Sequence, residues 1–222
     1  MNIKTIVFDM DGVIFDSEKM MQDIFMELGE KLQLPDNREI VNEFAGMAGS
    51  FIKQKMGEYL GDEKKGKKYY NKFCIRYVID VVLRGVPVKN GIEELLKYLK
   101  ERGYAMAVAS SSKTLPVKYM LKKAGLKKYF KEITGGDKIK HKKPAPDIYL
   151  LSCKKLNVEP RNCYAVEDSV VGAKSAIAAG MKVFIIPDLQ QPDEYNRENA
   201  EKVFLDAIEL KNYLFALDNQ KS

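Results

Sequence analysis

The 222 residues carry 37 Lys and Arg against 31 Asp and Glu, a formal charge of +6, with 45% apolar and 31% charged side chains. That composition fits an ordinary globular protein with one large core, or a core and a smaller insert, and excludes a disordered or collagen-like chain. No run approaches the roughly 18 apolar residues of a membrane helix and no basic segment leads into a long apolar one, so a cytoplasmic protein without a membrane partner is expected.

The chain opens on a strand. Ile6-Val7-Phe8 is continuously apolar, as in a strand covered on both faces, and it runs directly into Asp9-Met10-Asp11-Gly12. Gly12 lets the backbone leave the strand sharply. Two carboxylates at such a place are costly unless something uses them, and open α/β sheets bind ligands at the carboxyl ends of their strands. An EF-hand calcium loop does not fit, because it needs glycine at the sixth position between two helices. Here glycine is fourth from Asp9 and a strand precedes it.

Beyond Asp16 the period changes to that of helices, predicted over 18–32, 37–44, 49–59 and 62–83, with breaks at Pro35, at the Gly46 to Gly49 turn and at Gly61-Asp62. Tyr69, Tyr70, Phe73 and Tyr77 recur at helical spacing opposite Lys64, Lys65, Lys67 and Lys68. The aromatics read as a buried stripe and the lysines as a solvated face, in preference to a nucleic-acid surface. After Gly85-Val86-Pro87 the rhythm becomes strand then helix. Strands are predicted over 105–109, 133–134 with a few preceding residues, 163–166 and 183–186, with helices over 91–101, 115–124, 145–156, 170–179 and 206–214. The polar stretch from Asp218 onward is expected to fray.

Alternating strand and helix is the signature of a parallel sheet made of right-handed crossovers. The expected fold is therefore α/β, a doubly wound parallel sheet of residues 1–16 and 84–222. An all-helical insert, residues 17–83, would overhang the sheet edge that carries Asp9. Cys74, Cys153 and Cys163 are odd in number and far apart, without zinc or disulfide spacing, and read as reduced packing residues.

Three further strand ends carry polar groups. The second strand ends in Ser110-Ser111-Ser112, hydroxyls and backbone N–H groups near a helix start, which suits an anion, although serines also cap helices routinely. Lys143-Pro144-Ala145-Pro146 aims Lys143 from a stiffened loop, though it also follows His141 and Lys142 and could be surface charge. The fourth strand runs into Glu167-Asp168-Ser169, where a helix cap would explain one residue but not both acids. Brought to one edge, Asp9, Asp11, Glu167 and Asp168 face a single lysine. Two unit charges about 4 Å apart repel by roughly 4 kcal/mol at an effective dielectric near 20, so a divalent cation is the economical remedy. Oxygen ligands without cysteine or the chain's one histidine favour Mg2+ over zinc.

Asp-x-Asp-Gly after strand one, serine after strand two, a lysine before a helix and an acidic pair after strand four together resemble the haloacid dehalogenase-like superfamily. The helical insert, with KPAPD and VEDSVVGAKSAIAAG, is similar to the phosphoglycolate phosphatase and β-phosphoglucomutase branch. The resemblance implies that Asp9 is the nucleophile, that Asp11 protonates the leaving oxygen and later activates water, and that Ser110 and Lys143 handle the phosphoryl charge. It also implies a phosphoryl site that includes Gly12 and Ser111. Mg2+ would sit on Asp9, the backbone carbonyl of Asp11, Asp168 and Glu167. Dehalogenases of the superfamily lack the second aspartate, so Asp11 favours phosphate chemistry. Mutases of this branch usually carry a cap histidine where ungapped counting lands on Met21, and a phosphate-gripping arginine where this chain has Gly49. The expected activity is thus a Mg2+-dependent phosphatase for a small phosphorylated metabolite, a sugar or polyol phosphate. A sugar-phosphate mutase is the first alternative and a non-catalytic binding module on the same fold the second.

Overall fold

Six strands appear in the computed structural model, which describes residues 3–32 and 49–219. These are β1 (Thr5–Phe8), β2 (Ala105–Ser110), β3 (Glu132–Gly135), β4 (Tyr164–Glu167), β5 (Lys182–Ile185) and β6 (Lys202–Val203). They form one sheet in the order β3-β2-β1-β4-β5-β6, and every pairing is parallel. This is the doubly wound α/β architecture read from the sequence. The strand order reverses between β1 and β4, where such sheets open a ligand crevice.

Register explains why β1 is apolar from Ile6 to Phe8. Val7 lies opposite Ala107 on one side and Ala165 on the other. These three pack with Val183 under Ile148, Tyr149 and Cys153 of helix α6 (Asp147–Leu156) and Ala173 and Ala176 of α7 (Val170–Ala178). On the opposite face, Ile6 and Phe8 are fully buried, Phe8 meets Phe130 edge-on, and Phe184 meets Tyr213 of α9 (Ala207–Asn219) edge-on. Each such fully buried side chain contributes about 1.5–3 kcal/mol. The remaining helices of this unit are α4 (Ile92–Glu101), α5 (Thr114–Lys123) and the short α8 (Glu194–Asn199).

The chain divides into two compact units, residues up to Asp16 together with those from Pro87 onward, and Ser17–Val86. The first is stitched where the chain leaves and returns: Asp16 N–H donates to Pro87 O and Lys89 N–H to Ile14 O, both at 2.9 Å. In the helical unit the described elements are α1 (Ser17–Lys31), α2 (Gly49–Tyr59) and α3 (Glu63–Leu83). Asp62 caps α3 by accepting from the backbone of Lys64 and Lys65. Tyr69 and Phe73 stack on Phe25 with ring centroids 5.5 and 4.0 Å away, and Tyr69 donates to Phe25 O at 2.6 Å. The aromatic stripe is therefore core-facing, and the four lysines opposite it are exposed. The predicted helix over 37–44 lies outside the described residues.

Two expectations need correction. The tail does not begin at Asp218: α9 runs to Asn219, and Asp218 is buried, accepting from Lys4 Nζ at 2.7 Å and from the hydroxyls of Tyr98 and Tyr104 at 2.9 and 3.2 Å. A buried carboxylate that finds three donors holds the helix end rather than releasing it. Strand β6 and α8 were also not anticipated, since neither is long enough to show periodicity. They form through long-range backbone pairing, with Glu201 N–H to Val183 O and Phe204 N–H to Ile185 O, and through an Asp193 cap on α8.

Candidate active site

Four segments converge at the carboxyl ends of β1, β2 and β4. Parallel register carries Asp9 one residue past Phe8, beside β4, where its N–H donates to Val166 O at 2.9 Å. Glu167, the last residue of β4, is fully buried, and Asp9 and Asp168 are nearly so.

Lys143 ties these acids together. Its Nζ lies 2.5 Å from Asp9 Oδ1 and 2.5 Å from Glu167 Oε1, and its side chain is 8% exposed. Tyr149, on α6, donates a short hydrogen bond to the same Glu167 oxygen. Burial would lower the lysine's pKa, but the Asp9 and Glu167 carboxylates outweigh it and hold the ammonium charged well above its usual range. Burial pushes the Asp9 carboxyl up to about 8, with Lys143 opposing the rise and Glu167 and Asp11 adding to it. Burial, reinforced by Glu167 and Asp9, likewise raises the Tyr149 phenol well above its normal value. Lys143 is therefore no surface decoration, and His141 of the same loop pairs with Asp147 at 3.0 Å, away from the acids.

Asp11 turns toward β2, its Oδ2 lying 3.4 Å from the hydroxyls of both Ser110 and Ser112. Ser111 does not join them. It is exposed, and Ser112 occupies the place the sequence suggested for it. Neither serine caps α5, since Asp137 accepts from Thr114 N and Thr114 Oγ1, both at 2.6 Å. The serine hydroxyls are thereby left to the sheet edge. Gly12, expected at the phosphoryl site, donates its N–H to Phe15 O at 2.9 Å. Its part is space: φ is +80°, and a Cβ there would stand 2.1 Å from Asp168 Oδ2.

Ser169 caps α7, accepting from Gly172 N at 3.1 Å. Gly172 then makes room for the acid below it, because a Cβ would lie 2.1 Å from Glu167 Oε2. The sequence suggested only close helix packing for this run of small residues. Tyr149 and Gly172 were both missed as parts of the site.

Carboxylate oxygens of Asp9, Glu167 and Asp168 lie within 4.8 Å of one another and all three residues are buried. Three buried acids share one lysine in an oxygen-only cluster. Such a donor set fits a hard divalent cation of the Mg2+ type. The Asp11 side chain is engaged with the serines, consistent with a contribution limited to its backbone carbonyl.

Residues 6–186 match the sequence pattern of the haloacid dehalogenase-like hydrolases. The chain belongs to that family. This haloacid dehalogenase-like hydrolase is 34% identical over 191 residues to YhcW of Bacillus subtilis, covering 84% of each chain. It is 29% identical over 183 residues to a phosphorylated carbohydrates phosphatase of Thermotoga maritima, covering 81% of this chain and 83% of that one. The crystal structure of CbbY from Rhodobacter sphaeroides in complex with phosphate aligns with a TM-score of 0.71 at 25% identity, over 94% of this chain and 96% of that one. The family read from four short motifs is thus the family found.

Proposed function

We propose that this hydrolase is a Mg2+-dependent phosphatase for a small phosphorylated metabolite, with sugar and polyol phosphates as its substrate class, working through a phosphorylated Asp9. The observation that carries the reading is Lys143 spanning Asp9 and Glu167 at 2.5 Å each, the two acids that cluster with Asp168. The phosphatase named among its relatives supports the substrate class.

In this mechanism an Asp9 carboxylate oxygen attacks phosphorus while the bond to the leaving oxygen breaks, and Asp11 delivers its proton to that oxygen. Asp11, now a carboxylate, takes a proton from the water that attacks the phosphoryl group, releasing phosphate and restoring Asp9. Lys143 offsets charge on the nucleophile and the transferring group, and Ser110 with neighbouring backbone N–H groups holds the phosphoryl oxygens. Mg2+, on Asp9, Asp168, the Asp11 carbonyl and Glu167, would supply electrostatic stabilisation of the phosphoryl oxygens. We assign leaving-group choice to the helical insert, residues 17–83, and catalysis to the core of residues 1–16 and 84–222. A cytoplasmic location without membrane or nucleic-acid partner completes the reading. It rests on three free cysteines, and no described helix is long and apolar enough to cross a membrane.

A panel of about a hundred phosphorylated metabolites, assayed for phosphate release with Mg2+ and with EDTA, tests the proposal. Mg2+-dependent release from sugar or polyol phosphates is expected, and no release from any member would overturn it. Glucose 1-phosphate with and without the bisphosphate belongs in the panel: isomerisation far exceeding hydrolysis would assign a mutase instead.

A further inference from the structure

Asp188 follows β5, the strand beside β4, and only one of its carboxylate oxygens is engaged. Lys89 Nζ lies 2.5 Å from Oδ1, and the side chain is 13% exposed. Oδ2 is buried and has no hydrogen-bond partner among the described residues. A buried acceptor without a donor costs stability, so the protein's own groups leave Asp188 incomplete. An oxygen of Asp188 lies within 4.8 Å of one of Asp168. Lys89 is placed by its backbone, whose N–H donates to Ile14 O at 2.9 Å, so the ion pair links the segment after β1 to the end of β5.

We propose that Asp188 is a positioning residue for the divalent cation. Its carboxylate beside Asp168 raises the affinity of the Asp9, Glu167 and Asp168 cluster for hydrated Mg2+, and Lys89 fixes its orientation. The inference rests on the metal reading given under Proposed function. Mg2+ sheds its waters reluctantly and protein sites leave several in place, so acceptors beyond the direct ligands contribute to binding. Removing such outer partners costs about 10–100-fold in metal affinity. If the Lys89–Asp188 pair were only a clamp between two chain segments, its loss would change stability and leave metal binding alone.

Calorimetric titration of the full chain with MgCl2 separates these cases, using wild type, Asp188→Asn, Asp168→Asn and Lys182→Met. Lys182, the first residue of β5, pairs with Glu201 at 3.0 Å and reports what losing an ion pair does to β5 itself. Asp188→Asn is expected to weaken Mg2+ binding about 10-fold or more, Asp168→Asn at least as much, and Lys182→Met not at all. Asp188→Ser, which removes the carboxylate without putting an amide in its place, carries the same expectation if the asparagine variant fails to fold. Wild-type binding in Asp188→Asn with loss in Asp168→Asn overturns the role of Asp188 and leaves the cluster reading intact. Wild-type binding in both variants overturns the cluster reading and this inference with it.

Discussion

Replacing Lys143 by Met removes the ammonium that spans Asp9 and Glu167 while keeping most of the side-chain volume. Lysine and both acids are at most 9% exposed at their side chains, so water does little to screen the two carboxylates once the ammonium is gone. Taking one partner from a buried ion pair costs about 3–5 kcal/mol, because the remaining charge stays buried and unpaired. At pH 7 in EDTA the raised Asp9 carboxyl takes up a proton, so the charge left unpaired is that of Glu167, which puts the expected loss at the lower end of that range. The same change makes the acidic cluster more negative, so Mg2+ should bind it more tightly than it binds wild type. Ligand binding to the native state stabilises by about 2.7 kcal/mol at one hundred times its dissociation constant. Urea unfolding at pH 7, with EDTA and with saturating Mg2+, reads both effects, and the stabilisation by Mg2+ should be larger in Lys143→Met than in wild type. Turnover should fall by about 10²–10³-fold, as for loss of a donor to a developing oxyanion. Equal stability of the two proteins in EDTA, or a smaller Mg2+ effect in the variant, would refute the reasoning.

Asp9→Asn should reduce turnover by about 10⁴-fold or more, as loss of a nucleophile does, measured as phosphate release. In EDTA the folded Asp9 carboxyl is raised to about 8 from an unfolded value near 4, so its favourable contribution is complete below about pH 4 and lost as pH rises through 8. Asp9→Asn should therefore gain stability over wild type between about pH 5 and 8, and a gap that stays constant across urea melts in that range would contradict the burial argument. Gly172→Ala, which helix propensity alone would favour by about 1 kcal/mol, should instead destabilise by about 1–3 kcal/mol, because its Cβ would enter the Glu167 carboxylate; a rise in Tm would show that the acid lies elsewhere. Burial tends to raise the Asp218 carboxyl, but Lys4, Tyr98 and Tyr104 outweigh it and hold the group below its usual range. Asp218→Asn should cost about 1.5–3 kcal/mol at pH 7. Because the folded value is depressed, the gap should close as pH falls below about 4, and a gap unchanged at pH 2 would argue against the charged anchor.

What could be read from the chain alone follows one physical rule: chemistry placed where an apolar strand ends. Asp9, Glu167 and Asp168 each sit at or just past such an end, so their convergence needed only a parallel sheet and a strand order. Lys143 was harder, since its value lies in burial that a loop sequence does not display. Tyr149 could not be singled out, because whether a tyrosine on an apolar helix points its hydroxyl at a neighbouring strand depends on the helix's rotation against that strand. Its one signal is a lone polar atom on the helix face that packs against the sheet at β2 and β3. Asp137 and Asp188 act through residues far away in sequence, Thr114 and Lys89, and no local pattern predicts such pairs. Ser111 and Ser112 show the limit at single-residue resolution, since one step along a turn decides which hydroxyl reaches Asp11.

The anchor at Asp218 has a topological consequence. Lys4 precedes β1 and Asp218 lies in the last helical turn, yet the two side chains meet at 2.7 Å. A strand of four residues, about 13 Å at the usual rise, separates that junction from the Asp9 end of β1. A short peptide joining residue 219 to residue 3 would therefore close the core into a ring without crossing the carboxylates. New ends could then be opened in the Arg102-Gly103 turn, where nothing crowds the glycine. Forms permuted in this way should leave the Asp9, Glu167 and Asp168 cluster clear.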